Sequence, residues 1–70
     1  MIKTFAYHRP SVVGLERITY LREAYSQLED AIRAHCPESR TRYVALTELE
    51  TSAMWAIKSV VFNDPDSVVE

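Results

Sequence analysis

The chain has a single cysteine, Cys36, and a single glycine, Gly14, among its 70 residues. One cysteine excludes an internal disulfide and suits a reducing compartment. One glycine excludes the Gly-rich loops that cradle phosphates in nucleotide-dependent enzymes. Metal-ligand spacing is also missing: His8 and His35 lie far apart, and neither pairs with a cysteine at zinc-finger distance. No stretch approaches the ~20 apolar residues of a membrane span. The first ten residues contain no apolar run of signal-peptide length. These features together lead us to expect a cytoplasmic protein without membrane partners, metal or cofactor.

A basic excess is missing too. The formal net charge is −2, whereas sequence-independent binding of long DNA or RNA needs a basic face. No nucleic-acid polymer is therefore expected as a partner. The charge is uneven, however. Residues 1–22 hold Lys3, Arg9, Arg17 and Arg22 against Glu16, and the remainder is acidic on balance. A small anionic ligand would be drawn to the first end.

Catalytic groupings are sparse. No Cys–His or Ser–His–Asp set has supporting context. Glu48 and Glu50 are two apart and face different ways on a helix, while Glu29 and Asp30 are adjacent rather than stacked. Both pairs read as solvated faces. Cys36 reads as a small residue filling a turn, and His35 as a helix C-terminal cation. No catalytic residue is expected, and the chain is read as a binding protein rather than an enzyme.

What is present is helical periodicity. Ile18, Leu21, Tyr25, Leu28 and Ile32 repeat at spacings of three and four, the pattern of an apolar seam on a helix. The spacing predicts a first helix over about 11–35, starting at Ser11 or slightly later at Gly14. It stops at Cys36-Pro37, because the residue before a proline is pushed out of the α region. Ser39 is suited to cap a second helix over about 39–63. Its seam is Leu46, Leu49, Ala53, Ala56 or Ile57, and Val60. Asn63 is suited to a left-handed helix stop, with Pro65 beyond it. Residues 64–70 are expected to fray, and residues 2–7 to be extended or a short extra helix. Because Pro37-Glu38 is short, the helices must be antiparallel. The expected fold is thus all-α, one two-helix hairpin domain over 1–70 with a short N-terminal segment.

Such a hairpin is hard to stabilise alone. Below about 70–80 residues a core rarely contributes more than about 3–5 kcal/mol, and neither disulfide nor metal is on offer. From Ala53 to Phe62 the second helix is apolar nearly all round. Ala53, Ile57 and Val60 can face the first helix, whereas Met54, Trp55, Val61 and Phe62 point elsewhere. One partner helix cannot cover them all, so a compact homo-oligomer is expected.

One segment stands apart. Tyr7-His8-Arg9-Pro10 combines an aromatic ring, two possible cations and a rigid proline just before a helix. Aromatic rings stack on nucleobases for about 1–3 kcal/mol each, and arginine forks suit phosphates. The same residues also fit a polar helix lead-in with Tyr7 folded onto the hairpin.

Several stretches resemble a known family. Tyr7-His8-Arg9-Pro10 is similar to its Tyr-His-x-Pro motif. Ser39-Arg40 through Ala45-Leu46-Thr47-Glu48-Leu49-Glu50, followed by Ala53-Met54-Trp55-Ala56, is similar to a longer and more specific signature. The chain resembles, over roughly residues 5–63, the hairpin domain shared by phage anti-CBASS cyclic-nucleotide sponges and Thoeris anti-defence sponges. The resemblance implies a phage protein in the host bacterial cytoplasm. Its members bind cyclic oligonucleotide messengers without cleaving them, which keeps immune effectors switched off. It also implies a compact hexamer with cyclic dinucleotides, such as 3′,3′-cyclic GMP–AMP, held between protomers. Cyclic trinucleotides are a further ligand class in some members, and the Thoeris branch takes cyclic ADP-ribose isomers. The length of the chain favours the anti-CBASS-like branch.

By this resemblance Tyr7 matches the base-stacking tyrosine. Arg22 stands where the family usually has a lysine, and His8, Arg9 and Pro10 complete the expected ligand-binding set. The chain departs from the family pattern at Lys58, where asparagine is frequent, and at Val61-Phe62-Asn63, where a basic residue is frequent. A two-fold interface would offer two Tyr7 rings and two Arg22 forks to a ligand with two bases and two phosphates. The competing expectation is an interaction module whose apolar second helix docks another protein without any small ligand.

Overall fold

The computed structural model describes residues 8–9, 11–64 and 68–69. It is an all-helical hairpin. The helices are α1 (Val12–His35) and α2 (Arg40–Phe62), and a two-residue ladder joins β1 (His8–Arg9) to β2 (Val68–Val69). At 1.5 Å per residue each helix is roughly 35 Å long, which sets the long axis of a 44 × 24 × 13 Å particle.

The helix ends are set by capping chemistry. Ser11 precedes α1 with an extended backbone, and its hydroxyl accepts the Gly14 N–H at 3.1 Å. Gly14 therefore belongs to the first turn of α1 rather than starting it. It is buried, and a helix without a Cβ there admits close cover at a cost of about 1 kcal/mol in intrinsic propensity. At the other end the Cys36 N–H closes the last turn on the Ile32 carbonyl at 2.9 Å, and Pro37 prevents continuation. Ser39 caps α2 in the same way, accepting from the Arg42 N–H at 3.2 Å and donating to the Pro37 carbonyl at 3.0 Å. That second bond stiffens the link between the helices.

The α2 stop differs from the left-handed turn expected of Asn63. Its φ is −105° and ψ 5°. The side-chain amide instead donates to the Ser59 carbonyl at 2.8 Å, joining the Asn63 backbone N–H at 3.2 Å on the same acceptor. The side chain thus adds a second donor to a last-turn carbonyl that the backbone already pairs.

Both predicted seams face each other. Ile18 is buried, and Leu21, Tyr25, Ile32, Leu46, Leu49, Ala53, Ile57 and Val60 are half-buried. Midway along, the Tyr25 and Ser52 hydroxyls are 2.8 Å apart and tie α1 to α2. Leu28, on the predicted seam, is exposed instead. Val61 was expected to point away from α1 but is buried, and Phe62 is half-buried. The reason is the open end of the hairpin. There the start of α1, the end of α2 and the ladder converge, and β1 lies beside α2. Gly14, Ile18 and Val61 all belong to this end.

Among the described residues no side chain is completely buried, while Val12, Tyr20, Met54 and Trp55 are each more than three-fifths exposed. Burying apolar surface is worth roughly 25 cal/mol per Å². A single hairpin leaves much of that term unused.

The chain end also departs from expectation. Beyond α2, Asp64 accepts from the Ser11 hydroxyl at 2.6 Å, and Val68–Val69 pair antiparallel with His8–Arg9. The segment expected to fray is tied back at these positions. Residues 2–7, expected to be extended or helical, lie outside the described residues.

Candidate ligand-binding face

One broad face of the hairpin carries a groove of about 580 Å³ between α1 and α2. Small-molecule sites span roughly 300–1,000 Å³. The groove follows from helical spacing. Arg22, Tyr25, Glu29 and Arg33 recur on α1 at steps of three and four, and Tyr43, Leu46, Glu50, Ala53 and Ile57 do the same on α2. Each row includes seam residues, so Leu46, Leu49, Ala53 and Ile57 give the groove an apolar floor and the charged and tyrosine side chains stand beside it.

The polar groups on these walls differ in availability. Arg33 is held by Glu29, one turn earlier, with its Nη2 at 3.0 Å and its Nε at 3.1 Å from the same carboxylate oxygen. Tyr43 donates to the Glu38 carboxylate at 2.7 Å, and Tyr25 is engaged with Ser52. Arg22 makes no hydrogen bond or ion pair with another described residue. It is exposed on the groove wall, so its five donors are free to meet an anion.

Of the sequence-predicted site residues, Arg22 therefore stands on this groove. His8 and Arg9 form β1 at the open end of the hairpin. Tyr7 and Pro10 lie outside the described residues. Arg22 follows Ser11 by eleven residues, about 16 Å along α1, so within one protomer the groove arginine and the Ser11 cap are well separated.

Two features escaped the sequence reading. Lys58 sets its ammonium 5.1 Å from the Trp55 ring centre and 4.9 Å from that of Phe62. The spacing of three and four residues around a lysine was the available signal. The second is the Ser11–Asp64 bond. It spans 53 residues, and no local pattern marks it.

Among the described residues, no helix is long and apolar enough to cross a membrane, and no cluster of His, Cys, Asp or Glu could hold a metal ion. The family model described as Acb2/Tad1, hairpin domain, matches residues 1–61. No curated protein and no solved structure matches the chain.

Proposed function

The chain belongs to the Acb2/Tad1 hairpin-domain family of anti-CBASS and anti-Thoeris sponges, and from that premise we propose that it sequesters cyclic dinucleotides such as 3′,3′-cyclic GMP–AMP. The family's role is non-enzymatic sequestration of cyclic-nucleotide messengers, and that much applies broadly here. The finer reading is that this chain works in the host bacterial cytoplasm as a compact homohexamer. Ligands sit between protomers, and the messenger leaves intact if released. Cyclic trinucleotides are a second candidate class.

The observation that carries this reading is Arg22. Its guanidinium, without a partner among the described residues, stands on the wall of an open inter-helix groove, and an arginine fork matches phosphate geometry better than a lysine point charge does. Tyr7, His8, Arg9 and Pro10 supply the other contacts in the proposal, with Tyr7 stacking on a base. The groove of a single hairpin lies open to solvent along one side, and the exposed Met54, Trp55 and Tyr20 call for neighbouring subunits. Assembly and site formation are then one event.

The test is a catch-and-release experiment. The protein is incubated with 3′,3′-cyclic GMP–AMP, separated from free ligand and digested with protease. Recovery of intact ligand in proportion to protein is expected. Recovery of cleaved ligand would overturn the sponge reading in favour of a nuclease. Failure to retain any member of a cyclic di- and trinucleotide panel would leave the exposed Met54–Trp55 surface as the docking face of an interaction module.

A further inference from the structure

The two ends of the described chain are fastened together at two points. His8 faces Val69 and Arg9 faces Val68 in an antiparallel ladder. Next to it, the Ser11 hydroxyl donates to Asp64 Oδ2 at 2.6 Å, and the Ser11 N–H reaches the same oxygen at 3.4 Å. The Ser11 hydroxyl also accepts from Gly14 N–H. One hydroxyl therefore couples the cap of α1 to Asp64, two residues past the end of α2. Asp64 is itself tied to the α2 terminus, where its N–H meets the Val61 carbonyl at 3.4 Å.

Each part supports the other. A two-residue ladder is marginal by itself. The O–H to carboxylate bond is short and charge-assisted, and the carboxylate sits at the positive end of the α1 dipole. Anchoring at Ser11 holds the chain two residues from β1, so ladder formation costs little additional loop entropy. The carboxylate also sets a negative charge beside the α1 N-terminus, which disfavours a ligand phosphate there. Asp64 and Val68–Val69 lie beyond the family match, which ends at residue 61.

We propose that Asp64 and Val68–Val69 form a strap that pre-positions the N-terminal segment for ligand binding, with Ser11 and Asp64 as its positioning residues. The inference rests on the cyclic-nucleotide reading, because the segment it holds contains the proposed contacts Tyr7–Pro10. Holding β1 and Ser11 before the ligand arrives removes ordering that binding would otherwise have to supply. The strap touches no ligand itself; it acts by fixing where the residues beside it begin.

The experiment compares the full chain with Asp64→Ala, Asp64→Asn and a chain ending at Asp64, which keeps the Ser11 bond but lacks β2. Binding of 3′,3′-cyclic GMP–AMP is measured by calorimetry, subunit count by native mass spectrometry and helix content by circular dichroism. Asp64→Ala is expected to bind about 10-fold more weakly at unchanged subunit count and helix content. Asp64→Asn, which keeps an acceptor, recovers part of the loss. The shortened chain weakens in the same direction. The diagnostic readout is coupling: Tyr7→Ala costs less in the Asp64→Ala background than in the parent, since the segment is already unplaced. Parent-like affinity in Asp64→Ala and the shortened chain, or additive effects with Tyr7→Ala, overturns the strap and leaves the sponge intact. Loss of helix content together with assembly in both variants assigns these residues to folding and likewise overturns the positioning role. A parent chain that binds no cyclic nucleotide overturns the sponge reading first, and the strap with it.

Discussion

The Lys58 ammonium lies 5.1 Å from the centre of the Trp55 ring, one helical turn away. Phe62 lies 4.9 Å from the same ammonium, so the cation meets two aromatic rings on α2. The lysine stem covers apolar surface that would otherwise meet water, and the charge lies near the negative ring faces. Replacing Lys58 with Met keeps the stem and removes the charge. Each partly exposed cation–π contact is worth about 0.5–1 kcal/mol. Lys58→Met should lower the thermal unfolding midpoint, and Lys58→Arg should not. Equal midpoints for parent and Met variant would show the contacts to be energetically idle.

Trp55 and Met54 are 63% and 65% exposed in the single hairpin, although tryptophan and methionine are favoured where surfaces meet. A charge in their place is tolerated by an isolated helix but not by a dry subunit interface. Trp55→Glu is therefore expected to keep helix content by circular dichroism while reducing the subunit count in native mass spectrometry. Cyclic-nucleotide binding should fall with it, because the proposed sites form between protomers. A fully assembled Trp55→Glu variant would place this side chain outside the interface.

Tyr25 and Ser52 join the helices through a hydroxyl pair 2.8 Å apart. Such a bond is worth about 0.5–1.5 kcal/mol, and exposure at Ser52 puts it at the lower end. Tyr25→Phe and Ser52→Ala should each destabilise the hairpin by about that amount in denaturant melts. The double variant should be little worse than either single one, since both remove the same contact. Additive losses would mean that the two hydroxyls act independently.

Much of this hairpin is legible in local sequence, and the exceptions share a cause. The spacings of Ile18, Leu21, Tyr25 and Ile32 report a repeating geometry that any isolated helix would have, as do the Ser11 and Ser39 caps and the Cys36-Pro37 stop. Each depends on neighbours within a few residues. The Ser11–Asp64 bond, the His8–Arg9 ladder with Val68–Val69 and the burial of Val61 depend on which chain ends meet after the hairpin closes, so no window of sequence contains them. Asn63 illustrates a narrower ambiguity. Its amide can end a helix through left-handed backbone or through a side-chain bond to a terminal carbonyl, and the choice depends on where Asp64 must go next. Arg22 was identified by resemblance. No acidic residue stands three or four positions from it on α1, but its lack of a partner on α2 emerges only once the two helices are packed.

The contrast between two groove arginines yields the sharpest prediction. Arg22 and Arg33 line the same wall, but Arg33 is already bound to Glu29 at 3.0 Å. A ligand phosphate meeting Arg33 would have to compete with that carboxylate, whereas Arg22 has no such partner among the described residues. A hydrogen bond to a charged group contributes about 1.5–3 kcal/mol, equivalent to about 10- to 100-fold in affinity. Arg22→Ala should therefore weaken 3′,3′-cyclic GMP–AMP binding by about that factor in calorimetry, with the oligomer preserved. Arg22→Lys, which retains the charge but loses the fork, should fall between. Arg33→Ala should cost less than about 3-fold, because it removes an exposed i, i+4 pair worth only about 0.3–0.5 kcal/mol. Raising salt should erode the parent's affinity more than that of Arg22→Ala, since the variant lacks the screened contact. If Arg33→Ala proved the more damaging change, the phosphate would lie at the other end of the groove, and Glu29 would have to release its partner on binding.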